Sequence, residues 1–359
     1  LPPCGRLGHV GHVKRCLSGL PGSQVELDAS TMAVVFYCIG SLDLLGMLQE
    51  KTSETDRQSW RDWVWEQQTH GPNGSGFRPS TYMTPQRPSN AQVGSPPLSR
   101  DLEDCTSYDG PHVIMSYTAL LSLAILRDDF AQLDRPGLIK FLQSCQRDDG
   151  SFSTVTGSGD TDLRTLYCAF AISSMLDDWS GINVELALQF VVKCRTYEGG
   201  YGQSPNCEAQ GGTTYISIAS LYLAPGFPST RLTLAERQKT IQWLVQNQLS
   251  SGGFTGRTNK EADACYCFWC GAALQILGAR ELVNMQGLGQ FLSSCQFKYG
   301  GISKTPGEHP DPYHTYLSLA ALSMYPPDAD STWAFEPLDP LLNARVETSN
   351  WARVHIPAR

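Results

Sequence analysis

The chain has 359 residues, 41% of them hydrophobic and 17% charged, with a formal charge of -8. That composition suits a soluble globular protein with a large core and excludes the collagenous and disordered classes, while the acidic balance argues against a general nucleic-acid binder. No apolar run approaches the roughly 18 residues of a membrane-spanning helix, and the N-terminus lacks a signal-peptide pattern, so a cytoplasmic protein without stable membrane insertion is expected.

In chain order, residues 1–24 read as a leading segment, followed by a helix at about 31–46 that is apolar around most of its circumference. A different helix type follows, with apolar residues spaced i, i+3, i+4, i+7. It is weak at Trp60/Trp63/Val64/Gln67 and Ile241/Leu244/Val245/Gln248, and strong at Leu138/Phe141/Leu142/Cys145, Ala187/Phe190/Val191/Cys194 and Leu288/Phe291/Leu292/Cys295. After each comes a glycine turn ending in an apolar or aromatic residue, such as Gly150-Ser151-Phe152 or Gly252-Gly253-Phe254. A second, all-round apolar helix then follows, at about 112–126, 162–176, 211–224, 263–278 and 311–325.

This repeat of about fifty residues predicts two layers over residues 25–325. All-round apolar helices belong inside and amphipathic ones outside, so the repeats should close into an inner ring wrapped by an outer one; a stacked open solenoid is the alternative that the sequence alone does not exclude. Residues 78–104, rich in Pro, Ser, Gln and Asn, read as an insertion, and 326–359 as a tail packed over the outside or left loose. The twelve cysteines fall mostly in apolar helical patterns, as expected of reduced core thiols.

Two segments break the apolar rule at helix starts: Gly253 to Tyr266, and Asp311-Pro312-Tyr313-His314. Asp263, Cys265 and His314 would form an O, S, N set at the ring mouth, and three protein ligands with a free fourth position characterise catalytic zinc. Singly, each has a plainer reading as a cap, a core thiol or a hydrogen-bonded histidine. Cys267 and Cys270 have the spacing of a redox or metal pair, but their aromatic helical context favours core packing. Arg257, Lys260 and Tyr266 supply two cations and a phenol suited to a diphosphate leaving group. Phe36, Tyr37, Tyr117, Tyr167, Tyr215, Phe268 and Trp269 offer an aromatic lining suited to an apolar tail.

From about residue 25 to 325 the sequence closely resembles the β subunits of protein prenyltransferases. The resemblance rests on GGF-x-GR-x-NK-x-x-D-x-CY-x-FW at Gly252–Trp269, D-x-YH at Asp311–His314 and D-x-R at Asp162–Arg164. It implies an all-α fold, an α/α toroid of six hairpins with inner and outer helix rings, and a zinc-dependent protein prenyltransferase. One Zn2+ would be held by Asp263, Cys265 and His314, and the diphosphate by Arg257, Lys260, Tyr266, Gln210 and Lys304. The isoprenoid would lie against Ala33, Phe36, Tyr37, Tyr117, Tyr167, Trp269 and Leu317. Arg164 would hold the peptide carboxylate, and Ala29, Ala33, His112, Ile114, Met115 and Thr165 would read its last residue. The implied partners are a helical-repeat α subunit in a heterodimer, geranylgeranyl diphosphate, and CaaX-ending proteins such as Rho-type small GTPases.

Within the family, Ala33 stands where farnesyltransferases carry a bulky Trp, and Lys304 where farnesyltransferases and the Rab-specific type II enzymes resemble an Asp pattern. Both imply the type I geranylgeranyltransferase branch, with Leu or Phe preferred as the last CaaX residue and no Mg2+ requirement. Gln210 departs from the family's A-H-G-G segment and can donate a hydrogen bond but carry no charge. Two other helical-barrel functions lack their signatures here: there is no D-x-D-D string of a terpene cyclase and no Gly-Cys-Gly-Glu-Gln of a thioester binding module.

Overall fold

The computed structural model describes residues 1–20, 22, 27, 29–81, 109–226 and 231–357. The expected insertion at 78–104 therefore lies outside the described residues from position 82 onward. Helices dominate, in the order α1 (Arg6–Ser18), α2 (Thr31–Leu44), a single turn α3 (Leu48–Lys51), α4 (Glu54–Glu66), α5 (Val113–Ile125), α6 (Arg135–Cys145) and α7 (Leu163–Leu176). They continue with α8 (Val184–Lys193), α9 (Gly211–Leu223), α10 (Leu234–Gln246), α11 (Ala264–Ile276), α12 (Met285–Ser294), α13 (Pro312–Met324) and α14 (Val346–His355).

Burial sorts these helices into the two expected layers. In α5 every residue except Ile114 is buried, whereas α6 buries only its apolar quartet Leu138, Phe141, Leu142 and Cys145. Each fully buried Leu or Phe stabilises by roughly 1.5–3 kcal/mol, so the quartets hold the outer helices down. Neighbouring inner helices pack in the circuit α2, α5, α7, α9, α11, α13, and α13 packs back on α2. The ring is therefore closed, which decides against the open solenoid.

A repeated backbone bond fixes the register of the ring. The N–H at the start of one inner helix donates to a carbonyl two residues beyond the next turn's closing residue. The pairs are Met32 to Pro79, Val113 to Thr154, Gly211 to Gly256 and Ala264 to Lys304, each 2.9 Å, and Leu163 to Gln203 at 3.3 Å. At α13 the first position is Pro312, which has no N–H to give.

Helix α1 completes the outer ring. It packs on α2 and α13 and buries His9, Val10, His12 and Val13. Gly300 of the last turn, at φ +94°, lies against it so closely that a Cβ would stand 1.9 Å from the Gly8 carbonyl oxygen. His9 accepts from the Gly301 N–H at 3.0 Å, and burial lowers its pKa to about 4, keeping it neutral. Residues 1–24 thus include the outer helix of the first hairpin.

The tail departs from the expected outside or loose packing. Inner-ring tyrosines donate to four consecutive tail carbonyls: Tyr215 to Pro340 at 2.9 Å, Tyr167 to Leu341 at 3.0 Å, Tyr117 to Leu342 at 2.8 Å and Tyr316 to Asn343 at 2.5 Å. These buried hydroxyls need acceptors, and the tail supplies them by crossing one end of the ring before α14.

Candidate metal centre and active site

The three candidate metal ligands come from the starts of α11 and α13. Asp263 caps α11, accepting from the Cys265 N–H at 2.9 Å, and Asp311 caps α13, accepting from the His314 N–H at 2.8 Å. Capping fixes both carboxylates and the first turns behind them, at about 1 kcal/mol each. The ligand atoms of Asp263, Cys265 and His314 all lie within 4.8 Å of one another. His314 Nδ1 meets Asp311 Oδ2 at 2.6 Å, which leaves Nε2, 3.4 Å from Asp263 Oδ1, turned to the shared point.

Charge in this pocket is strongly coupled. Burial raises the Cys265 thiol to about 12, with His314 opposing and Asp263 reinforcing the shift. Burial disfavours the charged form of His314, but hydrogen bonds to Asp263, Asp311 and Cys265 prevail and push its pKa up to about 11. A carboxylate, a buried thiol and an imidazole aligned by a second carboxylate form a donor set that fits a divalent cation of the zinc type. The Cys267 and Cys270 thiols, both fully buried, take no part, in keeping with the core reading.

Beside the triad lies a cavity of about 390 Å³ inside the ring. Its lining repeats one face, spaced i, i+3, i+4, on successive inner helices: Ala33/Phe36/Tyr37, Ile114/Tyr117/Thr118, Arg164/Tyr167/Cys168 and Gly212/Tyr215/Ile216. Tyr266 and Trp269 of α11, Gln210, Thr213, Tyr313 and the tail residue Asn343 complete it. Ring centroids stand 6.3 Å apart for Phe36 and Tyr117, 5.6 Å for Tyr117 and Tyr167, 5.7 Å for Tyr167 and Tyr215, and 5.2 Å for Tyr215 and Trp269. Tyr313 links cavity to triad: its hydroxyl accepts from Trp269 Nε1 at 3.1 Å, and its ring stands 4.9 Å from that of His314.

At the mouth, Gly256 passes so near Tyr266 that a Cβ would stand 2.0 Å from the ring, so the phenol, raised to about 12 by burial, is clamped under the loop that carries Arg257. Arg257 is exposed and pairs with Glu208 at 3.3 Å, a solvent-screened contact that holds it weakly. Lys260, also exposed, lines an outer groove with Trp243 and Lys239 rather than the cavity. Lys304 is exposed, and its carbonyl accepts from the Ala264 N–H at the start of α11.

Of the other expected site residues, Ala33, Phe36, Tyr37, Tyr117, Tyr167, Trp269, Gln210, Arg164 and Ile114 line the cavity. Leu317 is fully buried and does not line it. Ala29 is exposed; Met115 and Thr165 are buried, and His112, capping α5, has its pKa lowered to about 4 by burial. Arg164 turns back on its own helix cap, Asp162, at 2.5 Å. Thr118, Cys168, Thr213, Ile216, Tyr313 and Asn343 escaped the sequence reading. The i+4 positions were there to be found by carrying Tyr37 across the repeats; Asn343 was not, because it comes from outside the repeat.

Residues 6–344 match the family described as the prenyltransferase alpha-alpha toroid domain. The geranylgeranyl transferase type-1 subunit beta of Arabidopsis thaliana is 42% identical over 224 residues, 60% of this chain and 60% of that one. That of Dictyostelium discoideum is 36% identical over 322 residues, 86% of this chain and 88% of the relative. The protein farnesyltransferase subunit beta of Schizosaccharomyces pombe is 30% identical over 353 residues, 92% and 81% of the two chains. The solved Candida albicans protein geranylgeranyltransferase-I complexed with GGPP superposes with a TM-score of 0.83 at 24% identity over 99% of both chains, a likeness of fold. The chain belongs to the prenyltransferase family of α-α toroid proteins, in the group of protein prenyltransferase β subunits.

Proposed function

We propose that this chain is the catalytic β subunit of a type I protein geranylgeranyltransferase. It moves a geranylgeranyl group from geranylgeranyl diphosphate to the cysteine thiol of a C-terminal CaaX sequence, with Leu or Phe preferred last, in small GTPases of the Rho type. The observation that carries this reading is the convergence of Asp263, Cys265 and His314 at the mouth of an aromatic cavity, with Tyr313 lining the cavity and packed edge-on against His314. The relatives named type-1 in two organisms, at 42% and 36% identity, support the branch.

A zinc ion held by the three ligands would supply the Lewis acidity that keeps an incoming thiol deprotonated near neutral pH. The chain's own groups do the rest. The aromatic lining from Phe36 to Trp269 shields an isoprenoid tail from water, and Ala33 leaves room where a larger side chain would cut the cavity short. Arg257, Lys260, Lys304, Tyr266 and the Gln210 amide supply positive charge and donors to a diphosphate as its leaving-group charge grows. The positive ends of the inner helices, which share this mouth, add to the same field. Lys304 takes the place of a metal ion at the diphosphate, so magnesium is not needed. Arg164, freed from Asp162, holds the peptide carboxylate. The subunit works in the cytoplasm with a helical-repeat α subunit.

The experiment is transfer of labelled geranylgeranyl or farnesyl to peptides ending in Leu or Ser, by the purified heterodimer with and without magnesium. Geranylgeranyl transfer to the Leu peptide, unchanged by magnesium, is expected. Farnesyl transfer to the Ser peptide that requires magnesium would assign the chain to another branch.

A further inference from the structure

Outside the catalytic site, one pair of thiols stands apart from the other buried cysteines. Cys16, on the outer helix α1, is half-buried and opens into a surface groove of about 760 Å³, lined also by His12, Lys14, Arg15, Leu20 and Pro310. Its Sγ lies 3.9 Å from His12 Nε2, one helical turn back. Behind it, close enough for the two thiols to influence each other, is Cys38, fully buried on the inner helix α2 against which α1 packs. Both thiols are free.

We propose that Cys16 is a thiol-modification site for an anionic low-molecular-weight disulfide such as glutathione disulfide, with Cys38 as the resolving thiol that cross-links α1 to α2. The groove presents two exposed cations to a ligand carrying carboxylates, and Cys16 lines it while Cys38 lies fully buried. Cys38, aided by His12 and Arg15, holds the Cys16 thiol below the ordinary cysteine range despite burial, which favours its thiolate.

The exchange balances without a further reactant. The Cys16 thiolate attacks one sulfur of glutathione disulfide; a Cys16–glutathione bond forms, the original S–S bond breaks, and one glutathione departs and takes the proton Cys16 gave up. Cys38 then loses its proton and attacks the Cys16 sulfur, expelling the second glutathione. Two protein thiols are oxidised to one disulfide and glutathione disulfide is reduced to two thiols. The product staples the ring-closing outer helix to an inner helix that lines the cavity through Phe36 and Tyr37, the two residues near Cys38 in sequence.

The test is a non-reducing peptide map of the full chain after incubation with glutathione disulfide, acid quench and alkylation. A Cys16–Cys38 linked peptide, reversed by dithiothreitol, is expected. Cys38→Ala should stop at a glutathione adduct on Cys16, and Cys16→Ser should leave Cys38 unmodified. The exposed Cys207 serves as internal reference. Modification of Cys207 with Cys16 left free, oxidation of Cys38 in Cys16→Ser, or absence of the linked peptide in the unaltered chain would each overturn the proposal.

Discussion

His314 is held at both ring nitrogens, by Asp311 on Nδ1 and by the site shared with Asp263 and Cys265 on Nε2. Asp311 is therefore an orienting group rather than a ligand, and Asp311→Asn should weaken metal binding by roughly 10–100-fold while the helix cap survives. Competition with a chelator of known affinity measures this; an unchanged affinity would show that Nδ1 needs no carboxylate. The same pair of residues sets a proton balance. Without a cation, Cys265 at about 12 and His314 at about 11 both carry protons at neutral pH, and both must lose them to become ligands. Zinc binding should therefore release about two protons and weaken as pH falls. Calorimetry in buffers of different ionisation enthalpy reads the number directly, and zero release would mean that these two groups do not bind the ion.

At the scale of helices and turns, most of the ring was legible in the sequence. The inner helices begin and end within a residue or two of the expected spans because all-round apolar helices bounded by caps and glycine turns have few alternatives. Helix α1 was not recognised because its quartet reads His9/His12/Val13/Cys16, with the correct spacing but two imidazoles in apolar places. Burial keeps His9 neutral, and it bonds to Gly301 and Gln296, so it packs as a polar substitute for a core residue. The tail was misread for a different reason: five prolines suggest irregular chain, but nothing local says that four carbonyls in a row will meet four tyrosines from distant helices. Gly300 belongs to this scale. Gly300→Ala forces a side chain into positive φ and against the Gly8 backbone, and should destabilise by at least about 2 kcal/mol, seen as a lower urea midpoint. An unchanged midpoint would mean that α1 does not depend on this contact.

For the whole molecule, the fold separates two ends. Tail carbonyls close one end of the inner ring, while the starts of α9, α11 and α13, with Gln210, Asp263 and Asp311 as their caps, gather at the other. The aromatic lining between them gives an apolar interior that opens beside the candidate metal ligands and the cationic loop. Fold and candidate ligands could thus be read from motifs at helix starts, whereas the floor of the cavity could not, since it depends on where the last residues settle. The most direct test is metal analysis of the purified protein beside Cys265→Ser. About one zinc per chain in the unaltered protein, lost together with prenyl transfer in Cys265→Ser, is the expected result. Equal zinc in both proteins would place the ion elsewhere and contradict the assignment of Asp263, Cys265 and His314.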